Sequence, residues 1–174
     1  VGTVLAALRR LPEPSRVRLL VVGDGPDRDR LLREASGLHV CFVGKQLAAR
    51  ADLAASSDAY FFTATIASHP MSLLEGMAAG LPTLAFDIEG VRGLLGDGSE
   101  GFVLGRGDAE QAALRLQALI VDPLRRQGMG QAAQRRACDF SWQVIGPRVL
   151  AYYEARLAEA AGEGATLRRT DHPA

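Results

Sequence analysis

The 174-residue chain is 48% hydrophobic and 23% charged, with 20 basic residues set against 20 acidic ones. That hydrophobic share is too high for a disordered chain, and no apolar run nears the roughly 18 residues of a membrane helix. A formal net charge of zero argues against a dedicated nucleic-acid binder, whose phosphate contacts call for a basic excess.

The length suits one domain, since domains usually run about 100–200 residues. Cys41 and Cys138 stand far apart and form no CxxC pair, so neither a zinc site nor a disulfide framework is expected, and a reducing cytoplasm fits. The chain opens on Val1 rather than Met, with no signal peptide behind it. It therefore reads as a piece of a longer protein.

Short apolar runs alternate with amphipathic stretches. Residues 4–11 form a helical opening. Residues 17–22 (VRLLVV) read as a strand ended by Gly23-Asp24-Gly25-Pro26. Residues 28–35 follow as a helix, with Pro26 near its start as helix N-termini prefer. Residues 39–43 (HVCFV) read as a second strand ended by Gly44, and residues 47–55 as a helix. Residues 59–63 (AYFFT) form a third strand and residues 72–79 a helix. Residues 83–86 (TLAF) come after Gly80-Leu81-Pro82 and stop at Asp87, and residues 102–104 are a weak fifth strand. Residues 109–121 carry Ala112, Leu116, Leu119 and Ile120 at helical spacing, and residues 124–138 are a polar, Arg-rich helix. Residues 144–161 place Ile145, Val149, Tyr152, Tyr153 and Leu157 on one stripe. Continuous apolar strands alternating with helices predict an α/β fold with a doubly wound, Rossmann-like parallel sheet. The domain is expected over residues 1–161, with residues 162–174 as a frayed, disordered tail.

Ligands of open α/β sheets bind outside the carboxyl ends of the strands. The loops to search are therefore 23–26, 44–45, 63–71 and 87–93. The first begins like a dinucleotide fingerprint but has Arg28 where the third glycine belongs. There is no GxxxxGK[ST] phosphate loop, GxSxG elbow or HExxH. The informative segment is 63–82, TATIASHPMSLLEGMAAGLP. A loop leaves the third strand there and a helix begins near Met71-Ser72. The first backbone N–H groups of that helix, those of Met71, Ser72 and Leu73, have no intrahelical acceptor and sit at the positive end of its dipole. Such a terminus is suited to phosphate. Ser72 either caps the helix or donates its hydroxyl to the same anion. Glu75, one turn in, can accept two hydrogen bonds from a vicinal diol such as a ribose, although the helix dipole alone also favours an acid near this end.

Four stretches, in order, resemble the C-terminal, donor-binding domain of GT-B glycosyltransferases, specifically retaining glycosyltransferase family 4 (group 1). Residues 18–26 (RLLVVGDGP) are similar to the family's strand and GxGP turn. Residues 40–44 (VCFVG) are similar to its hydrophobic-FxG strand, and residues 57–82 to its block where a strand meets a serine/proline loop and an LEAMAxGxP helix, which here reads LLEGMAAGLP. Residues 87–101 match its D-x-GG stretch loosely. The ending Phe140-Ser141-Trp142 with Tyr152 or Tyr153 is similar to its FSW…Y close. The resemblance covers about residues 1–160. It implies that Glu75, the second Glu of the family's E-x7-E pair, binds the nucleotide ribose. The first Glu of that pair falls at Ala67, and the family's Phe-Gly appears as His69-Pro70. His69 then either contacts the donor sugar and phosphates or fills the Phe slot, with Pro70 beside it. The family's Arg and Lys for the diphosphate belong to a GR…KG stretch that would precede Gly2.

Gly23 and Gly25 permit close backbone approach to a ligand, and Asp24 reads as a turn residue. Lys45 lies where the family's base-binding turn sits, either as a ligand or as a solvated loop lysine. Trp142 and the two tyrosines are expected to pack, and the arginines of 125–136 to form a solvated face.

The resemblance implies the donor-binding half of an enzyme that moves a sugar from a nucleotide diphosphate sugar to an acceptor hydroxyl with retention. No catalytic side chain is assigned within this domain, whose task is to hold the leaving diphosphate. No metal or other cofactor is expected. The partners implied are the nucleotide diphosphate sugar and an N-terminal lobe of the same protein, without nucleic acid. The full enzyme is expected to be cytoplasmic and to associate peripherally with a membrane, and the isolated piece to be inert. The alternative is a non-catalytic, degenerate nucleotide-binding or interaction module, motivated by Ala67. A nucleotide-sugar 2-epimerase of the same architecture is a third reading.

Overall fold

The computed structural model describes residues 1–46 and 50–170, with side chains described for 1–46 and 51–160. Two compact units divide it, Val1–Ala137 and Cys138–Ala174, where the sequence suggested one body through residue 161.

The first unit holds all five strands seen among the described residues. Helix α1 (Gly2–Leu8) and a 3-10 turn (Pro14–Arg16) lead to β1 (Leu19–Val22), α2 (Arg28–Glu34), β2 (Val40–Gly44) and α3 (Arg50–Ala55). Strand β3 (Tyr60–Phe62), α4 (Met71–Ala78), β4 (Thr83–Phe86), α5 (Glu89–Arg92), β5 (Gly101–Leu104) and α6 (Ala109–Val121) follow. Helix α7 (Pro123–Cys138) closes the unit. The helix expected over residues 47–55 is seen from Arg50, and residues 47–49 lie outside the described residues.

Every strand pairing is parallel, as helical crossovers require. The strands form two sheets, β1-β2 and β3-β4-β5, rather than the one sheet that alternation alone suggests. The difference shows in burial. All four residues of β4 are buried, since it is flanked on both sides by β3 and β5. β1 and β2, paired only with each other, have no buried residue: they are half-buried apart from the exposed Val22 and Cys41.

The main core gathers Phe62, Leu73, Met77, Leu84, Phe102 and Leu104 with Ala112 and Leu119 of α6. A smaller cluster of Leu5, Leu31 and Ala35 lies under the β1-β2 sheet, with Val40 and Phe42 packed against it. Helix α1 supplies both. Val4, Ala7 and Leu8 enter the main core while Leu5 enters the smaller one. This short helix is apolar nearly all round because it is buried nearly all round.

Arg-rich α7 is a solvated face only in part: Arg125 and Arg135 are exposed, while Arg126 and Arg136 are half-buried. The Arg126 guanidinium donates to the Leu119 carbonyl at 2.8 Å, and that of Arg136 to the Gly93 carbonyl at 2.8 Å. Arg125 stacks over the Phe102 ring, 5.3 Å from its centroid. Long cationic side chains here lay their stems over apolar surface and satisfy carbonyls at the carboxyl ends of helices.

The second unit is one helix, α8 (Trp142–Thr170), which runs beyond the predicted end at residue 161. Residues 171–174 lie outside the described residues. Trp142, Tyr152 and Tyr153, expected to pack, are exposed. Helical periodicity marks a stripe but not whether anything covers it. Among the described residues no helix is long and apolar enough to cross a membrane.

Candidate functional site at the carboxyl ends of the strands

Parallel pairing sends the chain leaving each strand to the same edge of its sheet. In the two-stranded sheet this gathers the Gly23–Asp27 turn after β1 and the Gly44–Gln46 turn after β2. The Gly23 amide donates to the Gly44 carbonyl at 2.8 Å, so the two turns are joined by a backbone bond. The Gly25 amide donates to the Asp24 carboxylate at 2.9 Å, which makes Asp24 the turn residue its sequence context suggests. Gly23, Gly25 and Lys45 therefore sit together, all exposed. The Gln46 side-chain amide returns to the Val43 carbonyl at 2.8 Å and braces the second turn.

In the three-stranded sheet, residues 63–70 link β3 to α4, and residues 87–88 link β4 to α5. Helix α4 begins at Met71, with Pro70 as its N-cap residue and no side-chain cap bond. Ser72 is therefore not the cap. Its position inside the first turn leaves the second sequence reading, a hydroxyl beside the amide terminus. Pro70 is buried, and its carbonyl accepts from the Leu73 amide at 3.0 Å and the Leu74 amide at 3.3 Å. Of the three amides singled out in the sequence, Leu73's is thus already donated, and its side chain is fully buried. Those of Met71 and Ser72 precede any acceptor within the helix.

Leu73, Gly76 and Met77 form the buried face of α4. Gly76 brings Tyr60 of β3 close, since a Cβ there would stand 2.6 Å from the tyrosine ring. This fixes the helix start relative to the strand end. Glu75 lies off that buried face and is exposed, as is His69 in the preceding loop. His69, Pro70, Met71, Ser72, Leu73 and Glu75 thus form one constellation, and Gly23, Gly25 and Lys45 another.

Two features absent from the candidate list emerge beside this loop. The Arg92 guanidinium grips the Asp87 carboxylate with two bonds, at 2.7 and 3.1 Å. That hydrogen bonding, with the charges of Arg92 and Arg106, holds the Asp87 carboxyl below its ordinary range against a smaller opposing effect of desolvation. The second feature is Gly90 on the first turn of α5, pressed against the backbone of Ala67 and Ser68. A glycine in the loop after the fourth strand was the available signal, since a residue without a side chain admits a close backbone approach.

Ala67 is half-buried and packs against the main core. A cavity of about 300 Å³ is lined by Arg92, Gly93, Leu95, Gly96, Glu100 and Arg136 among others, and by none of the nine candidate residues. It follows the α5–β5 connection toward the amino end of β5, away from the edge where parallel-sheet ligands bind. Among the described residues no group of three His, Cys, Asp or Glu side chains stands close enough to hold a metal.

The arrangement resembles those of known proteins. The phosphatidyl-myo-inositol mannosyltransferase of Mycobacterium leprae is 32% identical over 142 residues, 79% of this chain and 38% of that enzyme. The GDP-mannose-dependent alpha-mannosyltransferase of Mycobacterium tuberculosis is 32% identical over 149 residues, 85% of this chain and 38% of that one. The chain thus spans about two fifths of the length of the curated relatives it matches. Among solved structures, Anabaena HepE in complex with UDP and glucose superposes with a TM-score of 0.79 at 22% identity, over 88% of this chain and 44% of that chain. Sucrose-phosphate synthase from Thermosynechococcus elongatus gives 0.77 at 22% identity, over 91% of this chain and 42% of that chain. The fold is that of the GT-B glycosyltransferases. The family model described as glycosyl transferases group 1 matches residues 1–136, so the chain belongs to that family.

Proposed function

We propose that this chain is the C-terminal, donor-binding domain of a retaining glycosyltransferase that takes its sugar from a nucleotide diphosphate sugar. The observation that carries the reading is the α4 terminus. It lies at the carboxyl end of β3, is uncapped by any side chain, and has Glu75 one turn in. The Met71 and Ser72 amides and the Ser72 hydroxyl bind the diphosphate, where the helix dipole also favours negative charge. Glu75 accepts the ribose hydroxyls. His69 faces the donor sugar, with Pro70 beside it fixing the start of α4. The Gly23–Gly25 and Lys45 turns receive the nucleoside, mainly through backbone groups. Chemically, the domain stabilises charge that builds on the leaving diphosphate. Names among the relatives and neighbours support a nucleotide donor, with GDP-mannose in one and UDP in the other.

A chain of two fifths the relatives' length supplies one side of a cleft, and we expect it to be inert without an acceptor-binding lobe. The whole enzyme works in the cytoplasm and meets a membrane only peripherally. Relatives named for phosphatidyl-myo-inositol support a lipid acceptor, and two cysteines outside any disulfide suit a reducing compartment.

Titration calorimetry of the chain with UDP, GDP and ADP, and with their sugars, tests the reading. Binding of one nucleotide in the micromolar to millimolar range is expected. No heat with any of them at millimolar concentration would refute it and favour the non-catalytic module, the reading that Ala67 supports. Glu75→Ala should weaken binding by about 10- to 100-fold, as loss of a charge-assisted bond worth roughly 1.5–3 kcal/mol requires. An unchanged affinity removes the ribose assignment.

A further inference from the structure

Helix α5 is a single turn, yet it is anchored on every side. Ile88 and Val91 bury its inner face in the main core. The Asp87 amide donates to the Leu104 carbonyl of β5 at 2.8 Å, and the Asp87–Arg92 ion pair bridges the turn from outside. Against this fixed element lies the loop that carries the proposed donor contacts. A Cβ built on Gly90 would overlap the carbonyl oxygen of Ala67, and would stand 2.9 Å from the Ala67 carbonyl carbon and 2.9 Å from the Ser68 carbonyl oxygen. All three are backbone atoms, which cannot swing aside as the tip of a side chain can.

The loop is thus pinned twice. The Ala67–Ser68 peptide rests on Gly90, and Pro70 is buried at the start of α4. His69 lies between the two pins. Upstream, Thr65 and Ile66 are exposed, Ile66 to 88%. We propose that Gly90 is a positioning residue for the donor site: by lacking a side chain it seats the Ala67–Ser68 peptide, and so sets where His69 and the Met71–Ser72 amides stand. The proposal deepens the donor-binding reading and rests on it for what is positioned. Relieving the overlap to ordinary contact moves the loop by about 1 Å, since carbon contacts settle near 3.5–4.0 Å.

Gly90→Ala tests this, with Gly93→Ala as its control. Gly93 is three residues on, is right-handed, and a Cβ there meets nothing within 4 Å. The readouts are backbone amide chemical shifts without ligand, affinity for the nucleotide found by calorimetry, and melting temperature. Gly90→Ala should shift the amides of residues 67–72 well beyond what Gly93→Ala does, and should weaken nucleotide binding at least tenfold. Gly93→Ala should keep wild-type affinity. A purely structural glycine would lower the melting temperature of Gly90→Ala and leave affinity unchanged, and that result overturns the proposal.

If the wild-type chain binds no nucleotide, the donor reading fails by itself, while the ligand-free shifts still decide whether Gly90 seats the loop. If Gly90→Ala does not fold, the wild-type chain decides through a titration with the binding nucleotide. The amides of Ser68, His69 and Gly90 should then move together with those of Met71 and Ser72. A stationary Gly90 amide alongside shifting Met71 and Ser72 amides overturns the proposal.

Discussion

Replacing Leu5 by Ala tests how the two sheets are held together. Leu5 is 2% exposed and is one of three buried residues in the cluster beneath β1 and β2. Its neighbours Val4, Ala7 and Leu8 belong to the other core. Leu→Ala substitutions at fully buried sites cost about 2.7–5.0 kcal/mol, the larger values where the cavity cannot collapse. Here the partners Val1, Leu19, Leu38, Val40 and Phe42 are only half-buried, so the space can close or take up water, and the lower end applies, about 3 kcal/mol. For a chain of this size that lowers the melting temperature by roughly 6–12 °C. The assay is urea denaturation followed by circular dichroism, with amide hydrogen exchange to locate the loss. Protection should fall in β1 and β2 well before it falls in β4, because local opening follows local packing. Leu84→Ala, fully buried in the central strand, should cost more, about 4–5 kcal/mol, and should depress protection throughout the three-stranded sheet. A Leu5→Ala cost below about 1 kcal/mol, or loss of protection first in β4, would refute the two-core account.

Four further outcomes follow from single features. The Asp87 carboxyl titrates below its ordinary value in the fold, so its pairing with Arg92 favours the folded state above that ordinary value, and the benefit disappears as pH falls through the folded one. The gap in melting temperature between wild type and Arg92→Ala should therefore be small, since the pair is exposed, and should narrow from about pH 5 to about pH 3. A gap that is constant over that range removes the pairing as its source. Asp108 caps α6 by accepting from the Gln111 amide at 2.8 Å. Asp108→Ala should cost about 1 kcal/mol in chemical denaturation, and Asp108→Asn much less. Equal costs for the two would show that the cap bond is not what matters. Cys41 and Cys138 both lie outside any disulfide and are exposed, so a thiol reagent should titrate two groups without denaturant, whereas one or none would contradict the burial described. Because Glu75 is exposed, Glu75→Ala should leave the melting temperature within about 2 °C of wild type, which separates its proposed part in binding from a part in folding.

Much of the site's local framework was readable in one dimension. Pro70 ahead of a stripe of Leu73 and Met77 marks where α4 starts, and TLAF, apolar at every position, marks a strand buried on both faces. These signals are local, because proline geometry and apolar periodicity act within a few residues. Helix α5 escaped notice because four residues are too few to show a period. Arg126 and Arg136 looked like a solvated face because composition does not reveal that the carbonyls of Leu119 and Gly93 lie within their reach.

The sequence by itself determined the α/β alternation, the placing of its five strands and of every helix but α5 and the end of α8 to within a few residues, and the family resemblance that singled out Glu75. Each depends on side-chain chemistry read along the chain. Only the tertiary structure decided that the strands pair as two sheets, that α1 serves two cores at once, and that Gly90 touches the loop carrying His69. Strand partners and backbone approaches join residues tens of positions apart. They are settled by which surfaces exclude water together and how closely two backbones can pass, and neither quantity is encoded in local spacing.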